Sequence, residues 1–287
     1  MCESGRVAGT SSLERALTLL KVIEQTPGGL RNTDIHRQLK IPKSSCTYIL
    51  SRLEREGYLI KDEFSKRYKI GLAPVALAHG ALREVGIRTV AEPALYKLTR
   101  QTGLSAGIGV LERGRVLLVD RVEGPRFVDT AIQAAAARTV RTGSAASYRI
   151  RAQRDIGREL PAHSTALGKV LLAFLPRQYV IDLIFKPGTA RNMAASRKRF
   201  LAELDRVRTQ KYATADGEVY SDLRALSVPI FDADDEVRAA VSVNGNPSEP
   251  VWDDVAQLVR TVQDAARDIS RRARWRELPG RASRPQR

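Results

Sequence analysis

Cysteine is nearly absent: Cys2 and Cys46 are the only two. That excludes the disulfide framework of a small secreted domain and a cysteine-rich zinc site, since neither residue has a partner at ligand spacing. Histidine is almost as scarce. His36, His79 and His163 each stand without a second histidine or cysteine at ligand spacing, so no metal or haem is expected. Long apolar runs are missing too; the longest, such as KVLLAFL at 169–175, fall far short of the ~20 residues that cross a bilayer. No charged-then-apolar signal opens the chain, and the expectation is a soluble cytoplasmic protein.

Catalytic signatures are also lacking. There is no G-x-S-x-G nucleophile elbow and no phosphate-loop lysine, and GIGV at 107–110 lacks the third glycine and the following helix of a dinucleotide fingerprint. His163-Ser164 precedes a helical stretch, where Ser164 or Thr165 serves simply as an N-cap. Nothing in the chain supports an enzyme, and no catalytic residue or cofactor is assigned.

What is present is a normal globular balance: 287 residues, 43% apolar and 28% charged, enough for one large domain or two ordinary ones. The 48 basic against 32 acidic residues give +16, which favours a polyanionic partner such as nucleic acid or an acidic membrane surface.

The N-terminal quarter alternates short helices with turns. Leu13, Ala16, Leu17, Leu20 and Ile23 fall at helical spacing, with Ser12 as N-cap and TPGG at 26–29 as the stop. A second helix starts at Asn32 or Thr33. Ile41-Pro42 breaks it, because the residue before proline is pushed out of the helical region while proline suits a first helical position. A third helix runs from about Pro42 to Glu56. YLIKDEFSKRYKIG then offers two strand-prone segments, 58–61 and 67–70, joined by a polar turn. Three helices and a hairpin in this order are the layout of a winged helix-turn-helix.

The third helix has two faces. Cys46, Ile49, Leu50 and Leu53 cluster on one side as a core stripe, so Cys46 packs rather than reacts. Opposite lie Ser44, Tyr48, Ser51 and Arg55, flanked by Ser45, Thr47 and Arg52, with Lys43 in the first turn and no carboxylate among them. Hydroxyls and arginine at a helix start suit phosphates and base edges. The expected DNA contacts are Thr33, Lys43, Ser44, Ser45, Thr47, Tyr48 and Arg52, with Lys66 and Arg67 at the wing. Beyond Val90 strand pairs mix with helices: helix, a strand pair about a 112–115 turn, a buried helix at ALGKVLLAFL, an amphipathic helix, a hairpin tipped by DADDE, and a closing helix. That is an α+β domain with a largely antiparallel sheet.

From Ser12 to about Arg274 the chain resembles the IclR family of bacterial transcriptional regulators. The resemblance is carried by SLERALTLLKVIE, IPKSSCTYILSRLEREGYL, RYKIG, VDRVEG, LPAHSTALGKVLLAFLP and LRALSVPIFDADDEVRAAVSVNG. It implies a GAF-like effector-binding domain, dimers or tetramers on partly palindromic operators, and a small acidic or aromatic metabolite bound between the sheet and the STALGK segment. Carried over residue by residue, the effector candidates are Leu160, Ala166, Leu167, Gly168, Leu223, Ala225, Ser242 and Asn244, with Asp216 a weaker one. Backbone N–H groups near Leu167 and Gly168 would hold a carboxylate. Ala225 replaces a cysteine common in the family, His36 and Lys40 stand where small residues and glycine are usual, and the Ala/Arg-rich segment 124–157 is longer than typical, as a lid or a variable loop.

The expected organisation is a disordered tail (1–11), a winged helix-turn-helix (12–72), a linker helix (73–88), an effector-binding domain (89–275) and a basic tail (276–287). The function that follows is a ligand-responsive, DNA-binding regulator. The alternative is a small-molecule-binding or catalytic α+β domain whose winged helix makes only protein contacts, and salt dependence of DNA binding separates the two.

Overall fold

A computed structural model of the chain describes residues 11–84, 87–124, 156–185 and 193–273. The expectations for the N-terminal tail, for nearly all of the Ala/Arg-rich segment and for the basic C-terminal tail lie outside these residues. The chain divides into two compact units, Met1–Arg83 and Glu84–Arg287.

In the first unit, α1 (Ser12–Glu24) is capped by Ser11, one residue earlier than the sequence predicted. Ser11 Oγ accepts from the Glu14 N–H at 3.2 Å and Glu14 Oε2 accepts from the Ser11 N–H at 2.8 Å, a reciprocal capping box. A two-residue strand β1 (Leu30–Arg31) leads into α2 (Asn32–Leu39), α3 (Lys43–Arg55), β2 (Leu59–Lys61) and β3 (Arg67–Ile70). The sheet order is β1-β3-β2, so the expected hairpin gains a third strand too short to leave a sequence period. Leu19, Ile23, Ile35, Leu39, Ile41, Cys46, Ile49, Leu50 and Leu59 form its core. Lys40 closes α2 in the left-handed region at φ 53°. His36 Nδ1 donates to the Ile41 carbonyl at 2.5 Å, fixing the turn into α3.

Helix α4 (Ala73–Glu84) follows, and α5 (Ile87–Thr102) opens the second unit, burying Ile87, Ala91, Ala94, Leu95 and Leu98 at helical spacing. A six-stranded sheet of order β6-β5-β4-β9-β8-β7 has antiparallel neighbours throughout. Its strands are β4 (Ser105–Glu112), β5 (Arg115–Val122), β6 (Glu159–Pro161), β7 (Ala213–Asp216), β8 (Arg224–Phe231) and β9 (Val237–Gly245). The turn between β4 and β5 places Arg113 and Gly114 at φ 48° and 80°, the left-handed pair of a tight hairpin whose twist matches its strands.

Among the described residues of the unit, the remaining helices are α6 (Ala166–Ala173), α7 (Arg177–Ile184), α8 (Met193–Gln210) and α9 (Val255–Arg272). Sequence periodicity did not reveal β6, β7 or α7. All of α6 is buried, against β8, β9, β7 and β4 on one side and α8 on another. The opposite sheet face, with Ala106, Ile108, Leu226, Val228, Val241 and Val243, is equally buried, under α5 and α9. A sheet covered on both faces explains why these strands read as near-continuous apolar runs.

Candidate functional site

The outer face of α3 is the first site. Lys43, Ser44, Thr47, Tyr48, Ser51 and Arg52 are exposed, while Cys46, Ile49 and Leu50 face the core. Burial pushes the Cys46 thiol pKa up, in keeping with a packing role. The Arg52 guanidinium lies 5.3 Å from the Tyr48 ring centroid, so the two largest side chains of this face support each other. Thr33 is exposed at the start of α2. Two of the expected contacts have structural tasks. The Thr47 hydroxyl donates to the Lys43 carbonyl at 2.9 Å and accepts from Asn32 Nδ2 at 2.9 Å, and Arg67 Nη1 donates to the Gly29 carbonyl at 2.7 Å.

In the wing, Asp62 Oδ1 accepts from the Ser65 N–H at 2.7 Å, the Ser65 hydroxyl at 2.9 Å and the Phe64 N–H at 3.1 Å. The Ser65 backbone bond above all holds the Asp62 carboxyl below its ordinary range. Lys66, at φ 55°, reaches Glu63 at 3.0 Å.

The second site is a cavity between the sheet and the start of α6, open to solvent on one side. Its floor is built by strand register. Arg121, Gly107, Ser242 and Ser227 lie in one row across β5, β4, β9 and β8. Because alternate residues share a face, Leu223, Ala225 and Ser227 line the cavity together, as do Ser242 and Asn244. A register shift opposite Ile108/Gly109 puts Leu118 and Arg121, three apart, on the same face. Gly107 leaves the middle of the floor without a side chain.

The walls are apolar, from Leu118, Leu160, Leu167, Val219 and Leu223, with polar groups at particular places. Arg121, nearly buried, donates to Glu123 at 2.7 Å and to Asn244 Oδ1 at 3.2 Å. Arg158 Nη2 donates to the Tyr220 hydroxyl at 2.6 Å. Ser227 is fully buried, and its hydroxyl has no hydrogen-bond partner among the described residues. Glu218, also in the wall, is bound by Lys169 on α6, which in turn reaches Glu203 at 2.8 Å and the Thr214 carbonyl at 3.3 Å.

Of the effector candidates, Leu160, Ala166, Leu167, Leu223, Ala225, Ser242 and Asn244 line this cavity. Gly168 and Asp216 are not among its lining residues. The Gly168 N–H is taken by the Thr165 hydroxyl at 3.2 Å, and an added Cβ there would sit 2.1 Å from the Ala162 carbonyl oxygen, so this glycine serves close backbone packing. Asp216 is paired with Arg224, Nε to Oδ2 at 2.9 Å. Sequence reading missed Arg121, Arg158, Tyr220 and Ser227. Extending the alternation from Leu223 and Ala225 by one step reaches Ser227; the register shift that brings Arg121 to the floor leaves no mark in the sequence.

A helix-turn-helix with an exposed cationic and hydroxyl face, joined in one chain to a domain with an amphiphilic cavity, defines a ligand-binding transcriptional regulator. Comparison with known proteins names the group. The helix-turn-helix domain model of IclR regulators matches residues 12–63, and the model of the C-terminal domain of bacterial IclR regulators matches residues 140–271. The regulator XynR of Escherichia coli is 28% identical over 267 residues, covering 91% of this chain and 96% of that one. The transcriptional repressor IclR of the same species is 24% identical, covering 90% and 88%. An IclR regulator structure from Alicyclobacillus acidocaldarius overlays with TM-score 0.68 at 22% identity, covering 91% of this chain and 97% of that one. An IclR homologue from Microbacterium hydrocarbonoxydans complexed with 4-hydroxybenzoate gives 0.66 at 21%, covering 91% and 98%. The chain belongs to the IclR family: it is a transcriptional regulator with an N-terminal DNA-binding domain and a C-terminal effector domain, not an enzyme. No helix among the described residues is long and apolar enough to cross a membrane.

Proposed function

We propose that this regulator binds a partly palindromic operator as a dimer or tetramer, and that a small organic acid with an apolar or aromatic body is its effector. The observation that carries the effector class is the cavity itself. Arginines at positions 121 and 158 and hydroxyls at 220, 227 and 242 stand among aliphatic walls, which suits a carboxylate with a compact apolar body. Leu160, Ala166, Leu167, Leu223, Ala225, Ser242 and Asn244 are the effector-contacting residues in this reading. The expected absence of metal and of any cofactor stays part of it.

Operator reading falls to Lys43, Ser44, Ser45, Tyr48 and Arg52 on α3 with Thr33 on α2, and phosphate contact to Lys66. Effector binding shifts the geometry of the assembly and with it the half-site spacing it fits. Fluorescence anisotropy on DNA from upstream of the chain's own coding sequence tests the first part. Affinity should fall by orders of magnitude as salt rises several-fold, and the Tyr48→Ala, Arg52→Ala double variant should lose sequence preference. Unchanged binding by that variant would remove α3 as the reading element. A thermal-shift screen of aliphatic and aromatic acids tests the second part, since a ligand of the folded state raises its melting temperature.

A further inference from the structure

We propose that Phe64 is a minor-groove wedge, its ring entering the operator beside the half-site held by α3 and unstacking a base step there. This rests on the operator-binding reading above and adds a residue, a groove and a deformation to it.

Phe64 is 101% exposed, more than any other large apolar side chain among the described residues. Nothing in a polar turn requires an aromatic, and a fully hydrated phenyl ring adds nothing to the core. The backbone that carries the ring is nevertheless held in place. The three hydrogen bonds accepted by Asp62 Oδ1 close the 62–65 turn and leave residue 64 at its tip, pointing to solvent.

The tip is tied to the DNA-reading helix. Arg31 Nε donates to the Ser65 carbonyl at 3.0 Å, and the next residue, Asn32, donates through Nδ2 to Thr47 Oγ1 on α3 at 2.9 Å. The wing turn and the outer face of α3 are thus joined through the head of α2. A duplex whose major groove receives α3 therefore runs past the wing tip, where the adjacent minor groove falls.

Charge selects the same occupant. Lys61, Lys66, Arg67 and Lys69 stand against Asp62 and Glu63, and Glu63 is already bound by Lys66 at 3.0 Å. Cations set beside a projecting apolar ring fit a polyanion whose stacked bases accept such a ring. Proteins that bend DNA use phenylalanine and other apolar residues in this way, most cheaply at flexible pyrimidine–purine steps.

The test uses the full-length protein and its own upstream DNA, with 2-aminopurine at steps flanking the protected half-site and a donor–acceptor dye pair at the ends. Wild type should raise the 2-aminopurine signal and bring the ends together. Phe64→Ala should weaken operator binding by roughly ten-fold and abolish both signals, with circular dichroism and melting temperature unchanged because no core contact is lost. Phe64→Trp should restore both, and its added emission over wild type should be quenched on the operator. If Phe64→Ala binds, bends and unstacks the operator like wild type, the wedge is overturned while operator binding stands. If wild type shows no sequence-specific binding, both readings fall together.

Discussion

The Nζ of Lys169 lies 2.8 Å from Glu203 Oε1, with the Glu218 carboxylate as its second anion. The lysine side chain is 3% exposed, whereas the two glutamates are 35% and 37% exposed. One buried cation on α6 therefore joins α8 to the loop that carries the cavity residues Glu218, Val219 and Tyr220.

The unequal burial makes the cost of breaking this cluster unequal. Lys169→Met puts an apolar side chain of similar length into a buried place and leaves two carboxylates that water reaches. Removing both carboxylates, as Glu203→Gln with Glu218→Gln, instead leaves a buried ammonium without a counter-charge, which costs about 3–5 kcal/mol. Urea denaturation should therefore find the double glutamine variant the less stable of the two, and the reverse order would refute the assignment of Lys169 as the buried member.

Asp232 gives the β8–β9 hairpin a pH dependence. Burial alone would raise its pKa, but the Arg238 guanidinium, 2.5 Å away, and the N–H groups of Glu236 and Asp234, each at 2.9 Å, outweigh it and hold the carboxyl below its ordinary value. A carboxyl with a depressed folded-state pKa stabilises the fold above its unfolded pKa, near 3.9, and loses that contribution as pH falls through the lower folded value. Asp232→Asn should thus destabilise the domain by about 1–3 kcal/mol at neutral pH. Denaturant titrations at successively lower pH should show the gap closing below about pH 4; a gap that stays constant with pH would remove Asp232 as its source.

Much of this architecture was legible because its signals are local. The core stripe of α3, the proline at 42 and the turn at 112–115 each act within a few residues of themselves. Alternation along β9 likewise puts Ser242 and Asn244 on one face, while Leu223 and Ala225 come from the family resemblance. What escaped depends on contacts between distant segments. Arg121 reaches the cavity floor through a register shift between β4 and β5, and Arg158 and Tyr220 meet although 62 residues apart. Gly168 and Asp216, next in sequence to cavity residues, have local partners of their own. Proximity in sequence to cavity residues does not say which backbone or arginine has already claimed them.

Lys40 offers a gain in stability. It ends α2 in the left-handed region, at φ 53° and ψ 33°, where a side chain costs about 1–2 kcal/mol. Lys40→Gly relieves that strain, and the greater freedom of glycine in the unfolded chain offsets part of the benefit. The expected outcome is a net stabilisation of about 0.5–1 kcal/mol, seen as a higher urea midpoint. A lower midpoint would mean that the lysine side chain stabilises the turn more than its backbone strains it.

The cavity floor supplies the most direct test of effector binding. Ser227 is buried with a hydroxyl that has no partner among the described residues, so deleting that hydroxyl removes an unsatisfied group and leaves the apo domain as stable or slightly more so. An effector that bonds to it loses that bond. Ser227→Ala should therefore keep or raise the apo melting temperature while shrinking the shift produced by any acid found in the screen. Ala225→Leu acts by volume: it sits between Leu223 and Ser227 on the cavity face and fills space the ligand needs, so the shift should vanish. Both variants leave α3 untouched and should bind operator DNA with wild-type affinity when no effector is present. A full thermal shift in Ala225→Leu would mean that the acid binds elsewhere on the domain, and an undiminished shift in Ser227→Ala alone would confine its contacts to the arginine end of the cavity.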